Sequence, residues 1–351
     1  MPAESTSTHP VYLVVGGDGF LGRHMVRKLL EREPNAKVRI FDRQASVPDL
    51  KTHARVQYSI GDLRSPTDIL EAMQNVSCTI HSAAVIFGKD PKAMWAINVQ
   101  GTQNVLDACR SAGCTRLVYT SSASVTLDLQ VGNVLADETT PYPAIPLDAY
   151  NDTKAEAEKL VLEANDPGSF HTVVIRPSGI FGPEDATMMR QALRVVKEGK
   201  TGVQIGRNTS LADFTYVDNV VHGHLLAADH IEEDGVHGEI FIITNNEPIL
   251  FWDMMRTCWK EAGANPVYPP KHLPYTLALG IAHLLGVIST LISPLLTWEP
   301  ALTPFKVRIL TTHRFFNIHK AKERLGYEPQ VGLTEGIRRS VAWYNEHPEA
   351  L

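Results

Sequence analysis

The chain has 351 residues, 44% of them hydrophobic, with 33 Lys and Arg against 39 Asp and Glu for a net charge of −6. That length accommodates one large domain or two intimately packed ones with an ample core, and an acidic balance without a basic run excludes the electrostatic footprint of a nucleic-acid binder. Residues 1–10 are polar and lack the apolar stretch of a secretory signal, so they are expected to form a flexible N-terminus.

Val11–Val15 reads as a short buried strand that runs into Gly16-Gly17-Asp18-Gly19-Phe20-Leu21-Gly22, and Met25, Leu29 and Leu30 then repeat at helical spacing. Strand, glycine turn and helix form the context in which a dinucleotide's pyrophosphate sits on a helix N-terminus, the glycines allowing close backbone approach. The spacing is Gly16-x-x-Gly19-x-x-Gly22. A second strand, Val38–Phe41, ends in Asp42, whose carboxylate suits the ribose hydroxyls of NAD and repels a 2′-phosphate; Arg43 beside it leaves NADP open.

Further β-branched runs near 56–59, 78–83, 116–121, 171–176 and 239–244 alternate with helical patterns. This alternation predicts an α/β fold with a Rossmann-like, doubly wound parallel sheet. The nucleotide-binding domain is expected over 11–176, with 211–244 returning to it. Residues 177–210 and 245–351 depart from the pattern and are expected to form a smaller, mostly C-terminal substrate lobe. The four cysteines, Cys78, Cys109, Cys114 and Cys258, show no Cys-x-x-Cys spacing and read as buried thiols in a reducing compartment.

Arg116–Thr120 leads into Ser121-Ser122-Ala123-Ser124, which places hydroxyls at the end of a sheet strand. Farther on, Tyr150 and Lys154 lie one helical turn apart and face one side. A phenol titrates near pH ~10, and an adjacent ammonium favours its phenolate. A base, a cation and a hydroxyl donor are what metal-free alcohol oxidation requires. Tyr-x-x-x-Lys alone is common on solvated helix faces, and serines at strand ends are common turn formers; the glycine turn upstream is what gives these residues weight. His222 and His224, two apart on a helix, point away from each other, so no metal site is expected.

Between Lys271 and Glu299 no Asp, Glu, Lys or Arg occurs, and residues 273–296 form an apolar run of bilayer-spanning length. Crossing would separate residues 300–351 from the sheet on which they should pack. The expected arrangement is therefore a membrane-associated segment that dips into one face; a buried or dimer-forming helix pair and a true span are the alternatives.

In joining a Gly-x-x-Gly-x-x-Gly turn, a serine and Tyr-x-x-x-Lys in this order, the chain resembles the extended short-chain dehydrogenase/reductases. Gly61-Asp62-Leu63, His81-Ser82-Ala83-Ala84, Asn98 through Asn104 and Arg176 through Pro183 extend that resemblance over most of the chain. It implies that Ser122 orients the substrate oxygen, that Tyr150 is the acid/base, and that Lys154 holds the nicotinamide ribose and depresses the tyrosine pKa. Asn98 would support a water chain behind Lys154. The implied cofactor contacts are Gly16, Gly19, Phe20, Leu21, Gly22, Asp42, Arg43, Asp62, Leu63, Ala83, Ala84, Thr120, Tyr150, Lys154 and Pro177.

A narrower resemblance is to the 3β-hydroxysteroid dehydrogenase group and its decarboxylating sterol-4α-carboxylate branch. It is carried by Thr120–Val125, Asp148–Lys154, Ala164–Pro167, Asp213–Val220, Ile243–Asn245 and Leu302–Val307. It implies NAD(P)-dependent oxidation of a 3β-hydroxyl with loss of the C4 carboxylate, on the cytosolic face of the endoplasmic reticulum or on lipid droplets. A homodimer and a sterol C4-demethylation complex are partners compatible with that reading. Asp18, Ala84-Val85-Ile86 and Pro183–Met189 depart from the group's pattern, Asp18 by placing a carboxylate where the pyrophosphate is expected. Those departures leave a non-decarboxylating or triterpenoid dehydrogenase as the enzyme alternative and, more remotely, a nucleotide-sugar epimerase; a catalytically silent NAD(P)-sensing module is the alternative of another class.

Overall fold

The structure, a computed structural model, describes residues 10–86, 90–266, 269–292, 300 and 302–351. Residues 1–9 of the expected flexible N-terminus and 293–296 of the apolar run lie outside the described residues.

Seven strands form one parallel sheet: β1 (Val11–Val15), β2 (Lys37–Asp42), β3 (Val56–Ile60), β4 (Cys78–His81), β5 (Arg116–Thr120), β6 (His171–Pro177) and β7 (Ile240–Ile243). Their spatial order is β7-β6-β5-β4-β1-β2-β3. The helices the site depends on are α1 (Phe20–Arg32), α2 (Gly101–Ala112), α3 (Ala149–Glu163), α4 (Met188–Lys197), α5 (Val217–His230), α6 (Phe251–Glu261), α7 (Tyr275–Ile292), α8 (Pro304–Ile309) and α9 (Leu333–Glu346).

The strands read as continuous apolar runs because both faces of the sheet are covered. Side chains alternate between the faces: Val14, Val118, Val173 and Ile175 pack with Met25 and Leu29 of α1 and Leu225 of α5, while Leu13, Val15, Leu117 and Val174 pack with Val105 of α2 and Val161 of α3. The chain leaves β1 for β2 and β3, then returns to the other side of β1 as β4, which pairs Val15 with both Phe41 and His81. That reversal opens a crevice at the C-terminal ends of β1 and β4. The run predicted to reach residue 83 leaves the sheet after His81, and Ser82 donates a last hydrogen bond to the Val15 carbonyl at 2.9 Å.

A four-stranded sheet (Ile249–Leu250, Leu211–Ala212, Arg314–Phe316, Asn133–Ala136) and a separate core of Met189, Leu193, Phe214, Met254, Trp259, Ile337 and Tyr344 build the second lobe. All four cysteines are free and buried. In α7 only Ala278 and Ala282 are buried, against Val307 of α8. Leu277, Leu284, Val287 and Leu291 are 54, 60, 57 and 72% exposed.

A buried ion pair ties α3 to the sheet. The Arg176 guanidinium donates to Glu158 through Nε at 3.1 and 3.2 Å and through Nη2 at 2.5 Å, with both side chains almost fully buried. Tyr142 donates to the same carboxylate at 2.7 Å, and Ser121 donates as well. A buried charge is tolerable only when paired and hydrogen-bonded in this way.

Candidate active site

The crevice between β1 and β4 is a cavity of about 570 Å³. Its wall contains all fifteen residues named above as implied cofactor contacts, from Gly16 through Pro177, together with Ser122. The glycine turn is shaped for a ligand to approach its backbone. Gly16 has φ +84°, and a Cβ there would stand 2.7 Å from the Ala83 backbone; one on Gly22 would stand 2.1 Å from the Gly16 carbonyl oxygen. Gly19 caps α1 without any side-chain hydrogen bond, and the first turn of the helix carries no acid. An anion placed there meets the positive end of the helix and its N–H groups.

At one end of the cavity the Asp42 carboxylate is held by the N–H groups of Arg43 (2.8 Å) and Asp18 (3.1 Å). Burial raises its pKa, and these two donors act against the rise. The Asp18 carboxylate turns away from the turn. It accepts from the backbone of Ser46 (3.0 Å) and Val47 (3.3 Å), from Tyr58 Oη (3.0 Å) and from the Ser46 hydroxyl. The charge expected beside a pyrophosphate is therefore spent on pinning the loop after β2. Asp62 likewise accepts from the Arg64 backbone and guanidinium, which hold its pKa down to about 2.

At the other end stand Ser122, Tyr150 and Lys154. Asp148 caps α3 by accepting from Asn151 N at 2.9 Å, so the helix opens with Tyr150 in its first turn and brings Lys154 round one turn later. Ser122 leaves β5 extended and pairs with Ser124 Oγ at 2.7 Å. Burial pushes Tyr150 up to about 12; Ser122 pulls it down and the Asp148 charge adds to the rise. The sequence suggested that Lys154 would depress this value. The ammonium instead spends its hydrogen bonds on β5, on Tyr119 Oη at 2.6 Å and the Thr120 carbonyl at 2.5 Å. Burial lowers its pKa to about 7, against the pull of Glu158 one turn along α3.

Asn98 lies behind the cavity wall, in the wide turn Ala96–Gln100. Its amide accepts from Val85 N (2.8 Å) and donates to Val85 O (3.0 Å) and Thr153 Oγ1 (3.0 Å). It thus clamps the loop after β4 to α3, and the side-chain oxygen facing Lys154 belongs to Tyr119. His224 Nε2 lies 2.8 Å from Thr120 Oγ1 and its Nδ1 2.8 Å from Val220 O, while His222 reaches Gln330. Sequence reading also missed a latch on the glycine turn. Arg23 donates to the Asp18 and Gly19 carbonyls and to Glu184, which also takes Arg27 at 2.5 Å. Glu184 sits at φ 68° between Pro183 and the cavity-lining Asp185–Thr187. Arg and Glu about 160 positions apart leave no local signal.

Residues 13–271 match the model of the 3-beta hydroxysteroid dehydrogenase/isomerase family. The chain belongs to that family. Within curated proteins it is 42% identical to the decarboxylating sterol-4-alpha-carboxylate 3-dehydrogenase of Saccharomyces cerevisiae, over 95% of this chain and 97% of the relative. It is 39% identical to the enzyme of the same description from Mus musculus, over 93% of this chain and 89% of the relative. Among solved structures, gox2253 superposes with a TM-score of 0.78 at 28% identity, over 97% of this chain and 99% of the other. A dTDP-glucose 4,6-dehydratase from Bacillus anthracis, solved with NAD, superposes at 0.74 and 19% identity, over 97 and 98% of the two chains, a likeness of fold alone.

The buried Lys154 gives the fold a pH signature. Its folded pKa of about 7 lies below the ordinary 10.5, so between those values the unfolded chain binds more protons than the folded one. Stability from this group therefore rises with pH through that window. In thermal unfolding from pH 6 to 9, the wild type should gain on Lys154→Met as pH increases; a gap between the two that is constant with pH would overturn the assignment.

Proposed function

We propose that the chain oxidises the 3β-hydroxyl of a 4α-carboxysterol or closely related triterpenoid to the 3-ketone, with loss of the C4 carboxylate as CO2. The observation that carries this reading is the convergence of Ser122, Tyr150 and Lys154 on one glycine-cradled cavity, in a chain 42% identical to a sterol-4-alpha-carboxylate dehydrogenase. Gly16–Gly22 and Asp42 would hold NAD(P)⁺, which when bound would supply the hydride acceptor.

In this reading Ser122 holds the sterol oxygen and Tyr150 takes its proton, the phenolate form that burial disfavours being the one a cationic nicotinamide bound beside it would favour. The 3-ketone formed is a β-keto acid. Its C4–carboxylate bond then breaks, the electron pair passes into the carbonyl to give an enolate, and CO2 leaves. A phenol with a pKa raised by burial is a donor that keeps its proton until the enolate oxygen demands it, so Tyr150 and Ser122 both stabilise that oxygen. Val85, Ile86 and Ile180 give the cavity an apolar side suited to a ring system.

The test combines purified protein with a 4α-carboxysterol, a plain 3β-hydroxysterol and a nucleotide sugar, following cofactor reduction by absorbance and product mass. Oxidation with loss of CO2 is expected for the first; faster turnover of either other substrate overturns the reading. Tyr150→Phe should lower kcat by at least about 100-fold, the ordinary range for losing a general base. A variant retaining more than a few per cent of the rate would remove Tyr150 from the role.

In the same assay NAD should exceed NADP in kcat/KM by about tenfold or more, because a fixed Asp42 carboxylate repels a 2′-phosphate. Equal use of the two would reassign the selectivity to Arg43.

The exposed apolar face of α7 supports attachment to the cytosolic face of the endoplasmic reticulum or to lipid droplets without crossing, where such a substrate dissolves. Lysine at both Leu284 and Ile288 should move the protein to the soluble fraction and leave cofactor binding unchanged. Protease protection of the C-terminal tail in sealed microsomes would establish a span instead, and a wholly soluble wild type would end the membrane reading.

A further inference from the structure

Lys154 is held from below by β5. Its Nζ lies 2.6 Å from Tyr119 Oη and 4.1 Å over the centre of the Tyr119 ring, and Tyr119 is only 1% exposed. Burial raises the Tyr119 phenol well above its ordinary value, so the group stays neutral and its oxygen is an acceptor.

The neighbouring Thr102 hydroxyl acts against that rise. Thr102 Oγ1 donates to the Asn98 carbonyl at 2.6 Å and lies 3.0 Å from His81 Nε2. With the threonine proton committed to Asn98, His81 meets Thr102 as a donor. That fixes His81 as the Nε2–H tautomer and leaves its buried Nδ1 as the atom without a partner. Burial and the Lys154 charge push the His81 pKa down to about 3, which keeps it neutral. His81 thus points its proton into Thr102, while the Tyr119 oxygen accepts from Lys154.

The other groups around the ammonium are already engaged. The Glu158 carboxylate is taken by Arg176, Tyr142 and Ser121. Two of the three ammonium hydrogens end on β5, at Tyr119 and Thr120, which leaves the third for the cavity that Lys154 lines.

We propose that Tyr119 is the positioning residue of this site: a neutral phenol that fixes the Lys154 ammonium on β5 so that a single hydrogen faces the ligand. This rests on the reaction assigned above to Ser122, Tyr150 and Lys154. Without the Tyr119 oxygen the buried ammonium loses an acceptor, its protonated form is less favoured, and Nζ is free to swing.

Tyr119→Phe keeps the ring and its volume and removes the oxygen. It should lower kcat about tenfold, the effect of one hydrogen bond to a charged group, with the sterol KM within about twofold of wild type. The limb of the kcat/KM profile that titrates with Lys154 near 7 should move to lower pH. Competitive acetylation of Lys154 with acetic anhydride, read by peptide mass against pH, measures the same titration without turnover, and its midpoint should fall in the variant. Replacing Tyr119 by 3-fluorotyrosine, which keeps the hydroxyl and weakens its oxygen as an acceptor, should shift that midpoint the same way by less, and it serves as the test should Tyr119→Phe fail to fold. An unchanged midpoint and pH profile would overturn the proposal even if activity fell, because packing alone would then account for the loss. A shifted midpoint in a protein whose wild type leaves carboxysterols untouched would uphold Tyr119 and sink the assigned reaction.

Discussion

Taking an ammonium out of water costs several kcal/mol unless hydrogen bonds replace the lost solvation, and Lys154 is 2% exposed in this protein. The local architecture follows from meeting that demand. α3 must open at the Asp148 cap so that Lys154 arrives over β5. β5 must end there to offer the Thr120 carbonyl, and it must carry a hydroxylated aromatic at position 119. Farther along α3, Glu158 balances the charge only at a distance, because Arg176 holds it. A direct ion pair would fix Lys154 more firmly, but it would draw the ammonium away from the cavity.

The second constraint is geometric and sits at the reversal between β1 and β4. Only there do the C-terminal ends of adjacent strands diverge and leave room for a ligand over the sheet. Gly16 meets Ala83 across that gap so closely that no side chain fits at either the turn or the helix entrance, Gly22. The turn is then braced from outside the sheet. Arg23 gathers the Asp18 and Gly19 carbonyls and Glu184, so the turn is tied to the segment that contributes Asp185–Thr187 to the cavity wall.

What the sequence made legible was local or periodic. The seven sheet strands stood out because strands buried on both faces are apolar without interruption, and Tyr150 with Lys154 because helical spacing puts them on one side. The strands of the second sheet are two to four residues long, too short to show alternation. Asp18 was placed by its position in the turn, yet its partners Ser46 and Tyr58 lie 28 and 40 residues away and nothing nearby announces them. Tyr119 was closer to hand. Alternation in Leu117-Val118-Tyr119 sends residues 117 and 119 to the face that α3 covers, so its place beneath Lys154 was implicit in a strand already read. Asn98 was assigned to Lys154 by resemblance, and three hydrogen bonds to Val85 and Thr153 commit its amide elsewhere.

The exposed helix α7 belongs mechanically to the second lobe. It rises from Lys271–Leu273, which pairs in parallel with Val203–Ile205, and Gly206 donates to the Leu273 carbonyl at 3.0 Å. Trp252 of α6 donates to the Ile205 carbonyl at 2.9 Å, and α6 packs through Met254 into the core shared with Phe181 and Met189. Those residues flank Asp185–Thr187 on the cavity wall. A continuous packed path therefore runs from the apolar helix to the Asp185–Thr187 part of the cavity wall. An apolar surface that held α7 would bring that wall toward itself and leave the sheet, with its charged outer helices, in water.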